Sequence, residues 1–572
     1  MSGPLARAAV VAVAALGALA GLAWWHARGQ PVALPDAGVD RLPCVSYAPY
    51  RLPGQTPFTK GFVVSPAQID ADLALLVKRT SCIRTYSVDQ GLAAVPGLAR
   101  KHGLRVLLGL WIGRDRAENE RELARGLEVL RRDADAIDAV IVGNEVLLRR
   151  ELPAAALADY IRRVRAATTL PVTYADVWEF WLQNPEVADA ASFVTVHMLP
   201  YWEDEPMPIE RAVDHVVRTL ARVRAAFPGR DVFVGEAGWP SKGRRREGAV
   251  PSLVNQARFV RELAHQAAPH RMRYNVIEAF DQPWKRRLEG TVGGFWGVLD
   301  AGGREKFPLR GPVVEDPAWR QGLVAAGLGA ILFAFAGAAG RARLRGLLLL
   351  ALAGAALGAA AAAQREMIAA ASRDAFELAL GAAFGTISAA ATLLAALGLA
   401  RWLDGRAPLV PAPAAAVAAW FRTNRSGWSS AERVLGTLRF ALLFGAAATA
   451  LALAFDPRYR DFPLAFAAPP AVALAALAWA AGASAEVEER ALAAVLVAAA
   501  PVIVLREGLA NTDALAWAAL CLALAASVWR MSARGDAPRE HQQAGERPDG
   551  AGGGRVQHEP RGAEASGGER PG

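Results

Sequence analysis

Cysteine and lysine are scarce in this 572-residue sequence, and it contains no recognisable metal-binding motif. No CxxC pair or His/Cys cluster occurs, so the sequence lacks the pattern of a structural zinc site. Only six lysines stand against 58 arginines, and the arginines are scattered without the aromatic interleaving of a nucleic-acid surface. The net charge of +9 therefore does not indicate nucleic-acid binding.

The three cysteines fall in two different settings. Cys521 lies in a long apolar run and is expected to be a small core or lipid-facing residue. Cys44 and Cys82 each begin a predicted strand. If those strands are neighbours, a disulfide is possible outside the cytoplasm; two buried thiols are the alternative, and the sequence leaves both open.

Composition divides the chain into four parts. Residues 1–29 are apolar, 30–318 have the mixed composition of a globular domain, and 319–532 are dominated by Ala, Leu, Val and Gly. Residues 533–572 contain almost nothing apolar and are predicted to be a disordered cytoplasmic tail. The sequence thus predicts a soluble domain between a first transmembrane segment and a polytopic membrane domain.

The first apolar run, 8–25, follows Arg7 and is either a signal anchor or a cleavable signal peptide. The Trp24–Trp25 pair suits a membrane interface and favours the anchor. Seven further runs are long enough, or nearly so, to span a bilayer, of which 490–505 is the shortest. They cover residues 322–340, 346–363, 376–400, 436–455, 462–482, 490–505 and 513–529.

Arginine is concentrated in alternate loops between these runs, notably 341–345 and 401–433. The positive-inside rule makes those loops cytoplasmic, which places both termini in the cytoplasm and the globular domain outside. Ionisable residues are almost absent near the centres of the runs, whereas a transporter or proton relay normally carries some. The membrane region is therefore interpreted as an anchor, a partner interface or a passive channel wall.

The globular domain alternates short apolar or β-branched runs with amphipathic helical stretches. Alternation of this kind favours a parallel sheet, and eight such units in about 275 residues fit a closed (β/α)8 TIM barrel. A doubly wound open sheet is the alternative, but no GxGxxG follows the first strand. The predicted strands are 44–50, 82–87, 105–113, 139–146, 171–177, 193–201, 231–239 and 274–284.

Two of these strands end in a glutamate, Glu145 after the fourth and Glu236 after the seventh. In a barrel the catalytic groups lie at the carboxyl ends of strands, and strands four and seven face each other across the pocket. Paired carboxylates across a sugar-sized gap are what glycosidic chemistry requires. The general acid needs a raised pKa, which burial of Glu145 beside a second carboxylate would supply. The alternative is that each glutamate only pairs with an arginine at the rim.

Other strand ends supply side chains suited to a carbohydrate site. Aromatic rings can stack on pyranose faces while polar groups bond hydroxyls, although any one aromatic can equally be a core residue. The candidate substrate-binding residues are Tyr47, Arg84, Tyr86, Asn144, Asp176, His197, Tyr201, Trp202, Trp239, Glu278 and Lys285. The basic cluster after strand seven, 242–246, is either a solvated loop or part of the cleft rim.

Three motifs in this order resemble the family 17 glycoside hydrolases, the β-1,3-glucanase family: VGNE at 142–145, VGEAGWPSKG at 234–243 and IEAFDQPWK at 277–285. The resemblance implies that Glu145 is the general acid/base, Glu236 the nucleophile and Asn144 a partner of the sugar 2-hydroxyl. It further implies a retaining mechanism that needs no metal or organic cofactor. The interval of 91 residues between the glutamates is shorter than in plant members, which suggests a trimmed and more open cleft.

A family 17 barrel joined to a multi-span tail resembles bacterial membrane proteins of periplasmic glucan synthesis. The resemblance implies a transglycosylase of the bacterial inner membrane, acting on β-1,3-glucan or an oligosaccharide and forming β-1,6 linkages, beside a membrane glucan synthase. A β-1,3-glucan hydrolase is the first alternative. A non-catalytic glycan-binding scaffold is the second, and the presence of both Glu145 and Glu236 argues against it.

Overall fold

The protein is described by a computed structural model that covers residues 3–424, 427–482 and 484–529. The predicted tail at 533–572 lies outside the described residues. Between them, the described residues contain a closed barrel and, after it, a set of long apolar helices.

Eight parallel strands close into a barrel in chain order, with each strand paired to the next and the last paired to the first. This confirms the predicted (β/α)8 fold and excludes the open sheet. The strands are β1 (Val45–Ser46), β2 (Cys82–Arg84), β3 (Arg105–Leu110), β4 (Ile137–Asn144), β5 (Val172–Val177), β6 (Val194–His197), β7 (Val232–Ala237) and β8 (Arg273–Val276).

Helices follow the strands and cover the outside of the barrel. Polar caps fix the starts of some of them: Ser65 accepts from the backbone N–H of Gln68, and Asp115 accepts from those of Ala117 and Glu118. The helices of this domain are α2 (Pro66–Leu76), α3 (Val95–Lys101), α4 (Arg116–Asp133), α5 (Ala154–Ala166), α6 (Trp178–Gln183), α7 (Val187–Ala190), α8 (Ile209–Ala226), α9 (Leu253–Ala267) and α10 (Arg286–Glu289).

A disulfide joins Cys44 to Cys82, where β1 and β2 run side by side. The sequence left this pairing open, and strand adjacency brings the two cysteines together. Cys521 is a free, buried thiol among the apolar helices.

Within the described residues, the helical region consists of a first helix before the barrel and eight after it. Six of these helices are long and apolar enough to cross a membrane: Pro4–Arg28, Arg320–Ala339, Leu344–Ala371, Ala375–Leu403, Ser430–Phe455 and Leu464–Ala481. The bounds are α1 (Pro4–Arg28), α11 (Arg320–Ala339), α12 (Leu344–Ala371), α13 (Ala375–Leu403), α14 (Ala414–Thr423), α15 (Ser430–Phe455), α16 (Leu464–Ala481), α17 (Val487–Glu507) and α18 (Thr512–Trp529).

Polar side chains inside this region satisfy the backbone of α16. Its two internal prolines, Pro469 and Pro470, remove the N–H groups that would bond the carbonyls four residues earlier. Side-chain donors from α12 and α13 bond these two carbonyls instead, as expected where no water is available to do so. Gln364 Nε2 donates to the Ala465 carbonyl at 2.9 Å, and Ser388 Oγ donates to the Phe466 carbonyl at 2.8 Å.

One buried ion pair lies near the starts of two apolar runs, away from their centres. Arg439 of α15 and Glu489 of α17 are both fully buried and lie 2.5 Å apart. The helix that carries Arg439 begins at Ser430, six residues before the apolar run, so the arginine lies well inside the helix. Pairing with Glu489 and a hydrogen bond to the Ser484 carbonyl offset the cost of burying its charge.

The interhelical loops lie at two ends of the helical region. At one end, Arg406 donates to the Gly340 carbonyl and Arg7 lies 6.0 Å from the Trp402 ring. At the other end, the C-terminal ends of α12 and α17 contact the barrel: Arg286 donates to the Ala370 carbonyl at 2.7 Å, and Arg244 pairs with Glu507. The arginine-rich loops and the barrel are therefore at opposite ends.

Candidate active site

The backbone turns sharply where β4 ends, and Glu145 occupies the turn. Gly143 has φ +84° and Glu145 itself has φ +54°, a left-handed conformation that costs a non-glycine residue about 1–2 kcal/mol. The Glu145 N–H donates to the Ala175 carbonyl at 2.7 Å, which holds the turn against β5. Strained backbone that is held in this way is often associated with a functional side chain.

Asp176 holds the backbone segment that follows Glu145 in place. Its side chain is fully buried and accepts from the backbone N–H groups of Leu147 at 3.2 Å and Leu148 at 3.3 Å, as well as from the Tyr174 hydroxyl. Burial raises the pKa of Asp176 to about 6, with the Tyr174 hydrogen bond opposing the shift. Asp176 was predicted to bind substrate, and the structure places it as a support for the Glu145 turn.

Glu145 and Glu236 converge across the barrel mouth with His197 between them. One ligand atom from each of these three residues lies within 4.8 Å of the other two. His197 Nδ1 is 2.9 Å from Glu145 Oε1, and its Nε2 is 3.7 Å from Glu236 Oε1. Glu236 is almost completely buried, whereas the side chain of Glu145 keeps about a quarter of its surface exposed.

Arg84 supplies the positive charge at the centre of this cluster. Its buried guanidinium donates to Glu236 Oε1 at 2.9 Å, to Asn144 Oδ1 at 2.5 Å and to the Gly235 carbonyl at 2.8 Å. It also lies 3.3 Å from His197 Nε2. Three ligand atoms this close could hold a metal ion, but the Arg84 guanidinium already lies against two of them, and its fixed charge opposes a second cation there.

A second donor orients the Glu236 carboxylate. The Tyr86 hydroxyl donates to Glu236 Oε1 at 2.8 Å. Burial raises the pKa of Tyr86, and the neighbouring Glu236 charge raises it further, so the phenol remains a proton donor at neutral pH. The sequence left open that each glutamate only pairs with an arginine at the rim. Glu236 does pair with an arginine, but the pair lies inside the mouth and not on the rim.

The electrostatics at Glu145 differ from the sequence-based expectation. Burial alone would raise its pKa, but the hydrogen bond and charge of His197 outweigh burial, with help from Arg149 and Arg84. The pKa of the Glu145 carboxyl is therefore lowered in the free protein. The expectation of a raised pKa overlooked His197 as its direct neighbour, although His197 had been singled out as the end of β6.

The remaining predicted residues are distributed over the mouth and the core. Lys285 and Glu278 form a buried pair at 2.9 Å; burial opposes the lysine charge, but Glu278 and Glu289 raise the pKa of Lys285 overall. Trp202 is half-buried at the mouth. The others are core residues with internal hydrogen bonds: Tyr47 to Asp72, Tyr201 to the Arg244 carbonyl, and Trp239 to the Val250 carbonyl.

Arg149 and Glu289 also lie near the glutamate pair, and no sequence pattern pointed to either of them. Arg149 stacks 4.3 Å from the Trp111 ring and lowers the pKa of Glu145. Glu289 ends α10, and its raised pKa reflects burial first and then the charges around it, including those of Glu145 and Glu236. Neither residue closes a strand, so the strand-end rule could not find them.

Comparison with known proteins finds similarity to glycoside hydrolases over the barrel. Residues 44–297 match the family described as "BtgE/BtgC glycoside hydrolase domain". The glucan 1,3-beta-glucosidase of Saccharomyces cerevisiae is 25% identical over 271 residues, 44% of this chain and 87% of that protein. The enzyme of the same name from Schizosaccharomyces pombe is 28% identical over 231 residues, 38% of this chain and 72% of its own.

Among solved structures, the family 17 β-1,3-glucanosyltransferase from Rhizomucor miehei is similar. It shares 24% sequence identity and a TM-score of 0.41, and the match covers 48% of this chain and 97% of that one. The matched family segment lies within the barrel. The barrel is a glycoside hydrolase or transglycosylase domain.

Proposed function

We propose that this glycoside hydrolase domain is a retaining β-glucan transglycosylase, with Glu145 as general acid/base and Glu236 as nucleophile. The observation that carries the proposal is the approach of the two carboxylates to within 4.8 Å at the barrel mouth. Carboxyl groups about 5–5.5 Å apart are typical of retaining enzymes, whereas inverting enzymes need about 6.5–9.5 Å to admit a water. The substrate class, β-1,3-glucan, is proposed from the relatives.

The two glutamates divide the chemistry between them. Glu236 attacks the anomeric carbon while Glu145 gives its proton to the departing glycosidic oxygen, which leaves a glycosyl ester on Glu236. Glu145, now a carboxylate, then takes the proton from an incoming sugar hydroxyl, whose oxygen attacks the anomeric carbon and releases Glu236. Hydrolysis follows the same steps with water in place of the sugar hydroxyl.

Arg84, Tyr86 and Asn144 prepare the nucleophile for this reaction. Arg84 and Tyr86 both donate to Glu236 Oε1, which holds one carboxylate oxygen and leaves the other to attack. Asn144 accepts from Arg84 through Oδ1, so its amide N–H groups remain to bond a sugar hydroxyl. Trp202 and Lys285 are proposed to line the cleft, as predicted from the sequence.

We further propose that the chain is a multi-pass protein of a bacterial inner membrane with the barrel in the periplasm. The arginine-rich loops lie at the end of the helical region away from the barrel, which supports a cytoplasmic location for them. The layout, a family 17 barrel fused to several apolar helices, favours a role in glucan synthesis, with β-1,6 linkage formation and a membrane synthase as partner.

Product analysis tests the proposal. The full chain, purified in detergent, is incubated with laminari-oligosaccharides, and products are analysed by mass spectrometry and linkage methods. Longer products containing β-1,6 linkages are expected, and Glu236→Gln should lower the rate at least 1000-fold. If only shorter products form, the proposed activity is β-1,3-glucan hydrolysis and not transfer. Glucan processing unchanged by Glu236→Gln would support the non-catalytic scaffold.

A further inference from the structure

A loop of the helical region reaches the mouth of the barrel. This loop, residues 456–463, connects α15 to α16 and is called the 456–463 loop below. The Thr291 hydroxyl donates to Asp461 Oδ2 at 2.5 Å, and Arg244 donates to the Arg460 carbonyl. The Arg244 guanidinium also lies 4.9 Å from the ring of Phe462. These contacts fix the loop against two segments of the barrel.

A buried ion pair reinforces the same junction. Arg244 and Glu507 pair with less than a tenth of either side chain exposed. Asn511 bonds Glu507 Oε2 at 2.8 Å and the Arg245 carbonyl at 3.3 Å. The basic cluster after β7, whose role the sequence left open, thus faces the helical region. The barrel and the helices are joined at the end where the glutamates lie.

The junction is adjacent to the reacting groups. Gly290 packs directly on the loop, since an added Cβ there would lie 2.3 Å from the Tyr459 carbonyl oxygen. Five residues before Gly290, Lys285 donates to Glu278 Oε2 at 2.9 Å, just after β8 ends at the barrel mouth. The loop therefore continues the wall of the cleft that holds the carboxylate pair.

Two side chains of this loop meet Trp202 at the mouth. The Tyr459 ring lies edge-on to Trp202 with centroids 5.8 Å apart, and the Arg458 guanidinium is 5.8 Å from the same ring. Trp202 is backed on one side by Trp296, which stacks at 18° and 6.4 Å. Tyr459 nevertheless keeps 42% of its surface exposed, unlike an aromatic that only seals an interface.

We propose that Trp202, Tyr459 and Arg458 form a glucan-binding subsite shared between the barrel and the helical region. The exposed Tyr459 ring offers a flat apolar face to a pyranose, Trp202 lies beside it, and the guanidinium offers several N–H donors to the sugar hydroxyls. A glucan chain that extends from the carboxylate pair along this wall contacts both regions at once. The inference rests on the proposed function, because it deepens the assignment of the same cleft.

Binding measurements on the full chain test this subsite without turnover. In the Glu236→Gln background, dissociation constants for laminaritriose and laminarihexaose are measured by calorimetry in detergent. Tyr459→Ala is expected to weaken hexaose binding about tenfold, as the loss of an aromatic contact of roughly 1.4 kcal/mol implies, and to leave triose binding unchanged. Tyr459→Phe should retain most of the affinity.

Two controls separate recognition from folding. Phe421→Ala removes an exposed aromatic of α14, which is more exposed than Tyr459, and should change neither constant. If Tyr459→Ala does not purify as a folded protein, Tyr459→Leu keeps the apolar volume and removes only the ring. Unchanged hexaose binding in the ring-deleting variant, or an equal loss for both oligosaccharides, would overturn the subsite alone. If the Glu236→Gln parent binds neither laminaritriose nor laminarihexaose, the proposed function is overturned instead.

Discussion

At the scale of single residues, His197 connects the two glutamates. Its Nδ1 is 2.9 Å from Glu145 Oε1, while its Nε2 lies near Arg84 and Glu236. Burial raises the pKa of Glu145, but the hydrogen bond and charge of His197, together with the charges of Arg149 and Arg84, lower it overall. A general acid must be protonated, so the active fraction of the free enzyme should fall as the pH rises through and beyond this lowered pKa.

Replacing His197 by glutamine should move the pH profile. The variant loses the charge that lowers the pKa of Glu145, so burial then dominates and the pKa rises. The alkaline limb of kcat/KM against pH is expected to shift to higher pH. His215→Gln is the matched control, because His215 pairs at 3.3 Å with Glu203 and not with Glu145 or Glu236. An alkaline limb in the same position in wild type and His197→Gln would contradict the assignment.

At the scale of elements, the Cys44–Cys82 disulfide ties β1 to β2 across 38 residues of chain. A cross-link of this span restricts the unfolded chain and typically stabilises a domain by about 2–4 kcal/mol. Cys82→Ser is therefore expected to lower the thermal unfolding temperature of the barrel, measured by circular dichroism in detergent. Cys521→Ser, which removes the free thiol, should have a much smaller effect. Equal stability of Cys82→Ser and wild type would refute the structural role.

The strand elements show what pattern reasoning can and cannot supply. All eight strands were predicted, because buried β-branched runs alternate with amphipathic helices. Most of them were predicted to end later than they do. For example, residues 274–284 were expected as one strand, but β8 is Arg273–Val276. The chain beyond it remains buried and apolar, as at Ala279 and Phe280, without continuing the ladder. An apolar sequence pattern indicates that a residue is buried, but it does not indicate whether its backbone pairs in the sheet.

The site follows the same logic. Glu145, Glu236, His197 and Arg84 lie at or next to strand ends, and barrel topology alone brings strand ends to one mouth. Tyr459 reaches that mouth from a loop more than 200 residues further along the chain. No periodicity or spacing in the sequence predicts which interhelical loop docks there, since docking depends on tertiary contacts such as the Arg244–Glu507 pair.

At the scale of the whole molecule, that buried pair couples the barrel to the helices. Removing one partner of a buried ion pair leaves an uncompensated charge and typically costs about 3–5 kcal/mol. Glu507→Gln is therefore expected to lower the unfolding temperature clearly and to expose the junction around residues 242–246 to limited proteolysis. Glu377→Gln breaks the more exposed Arg373–Glu377 pair and should change stability little. Similar behaviour of the two variants would argue against a fixed junction.

Trapping of the covalent intermediate tests the central claim, the pairing of Glu145 and Glu236 in a retaining reaction, most directly. A 2-deoxy-2-fluoro laminaribiosyl fluoride slows both steps but keeps a good leaving group, so the glycosyl ester accumulates. Mass spectrometry of the digested protein is predicted to find one 2-deoxy-2-fluoro laminaribiosyl group on the peptide containing Glu236, and none in Glu236→Gln. Turnover of natural substrate without labelling, or a label on a different residue, would contradict the account.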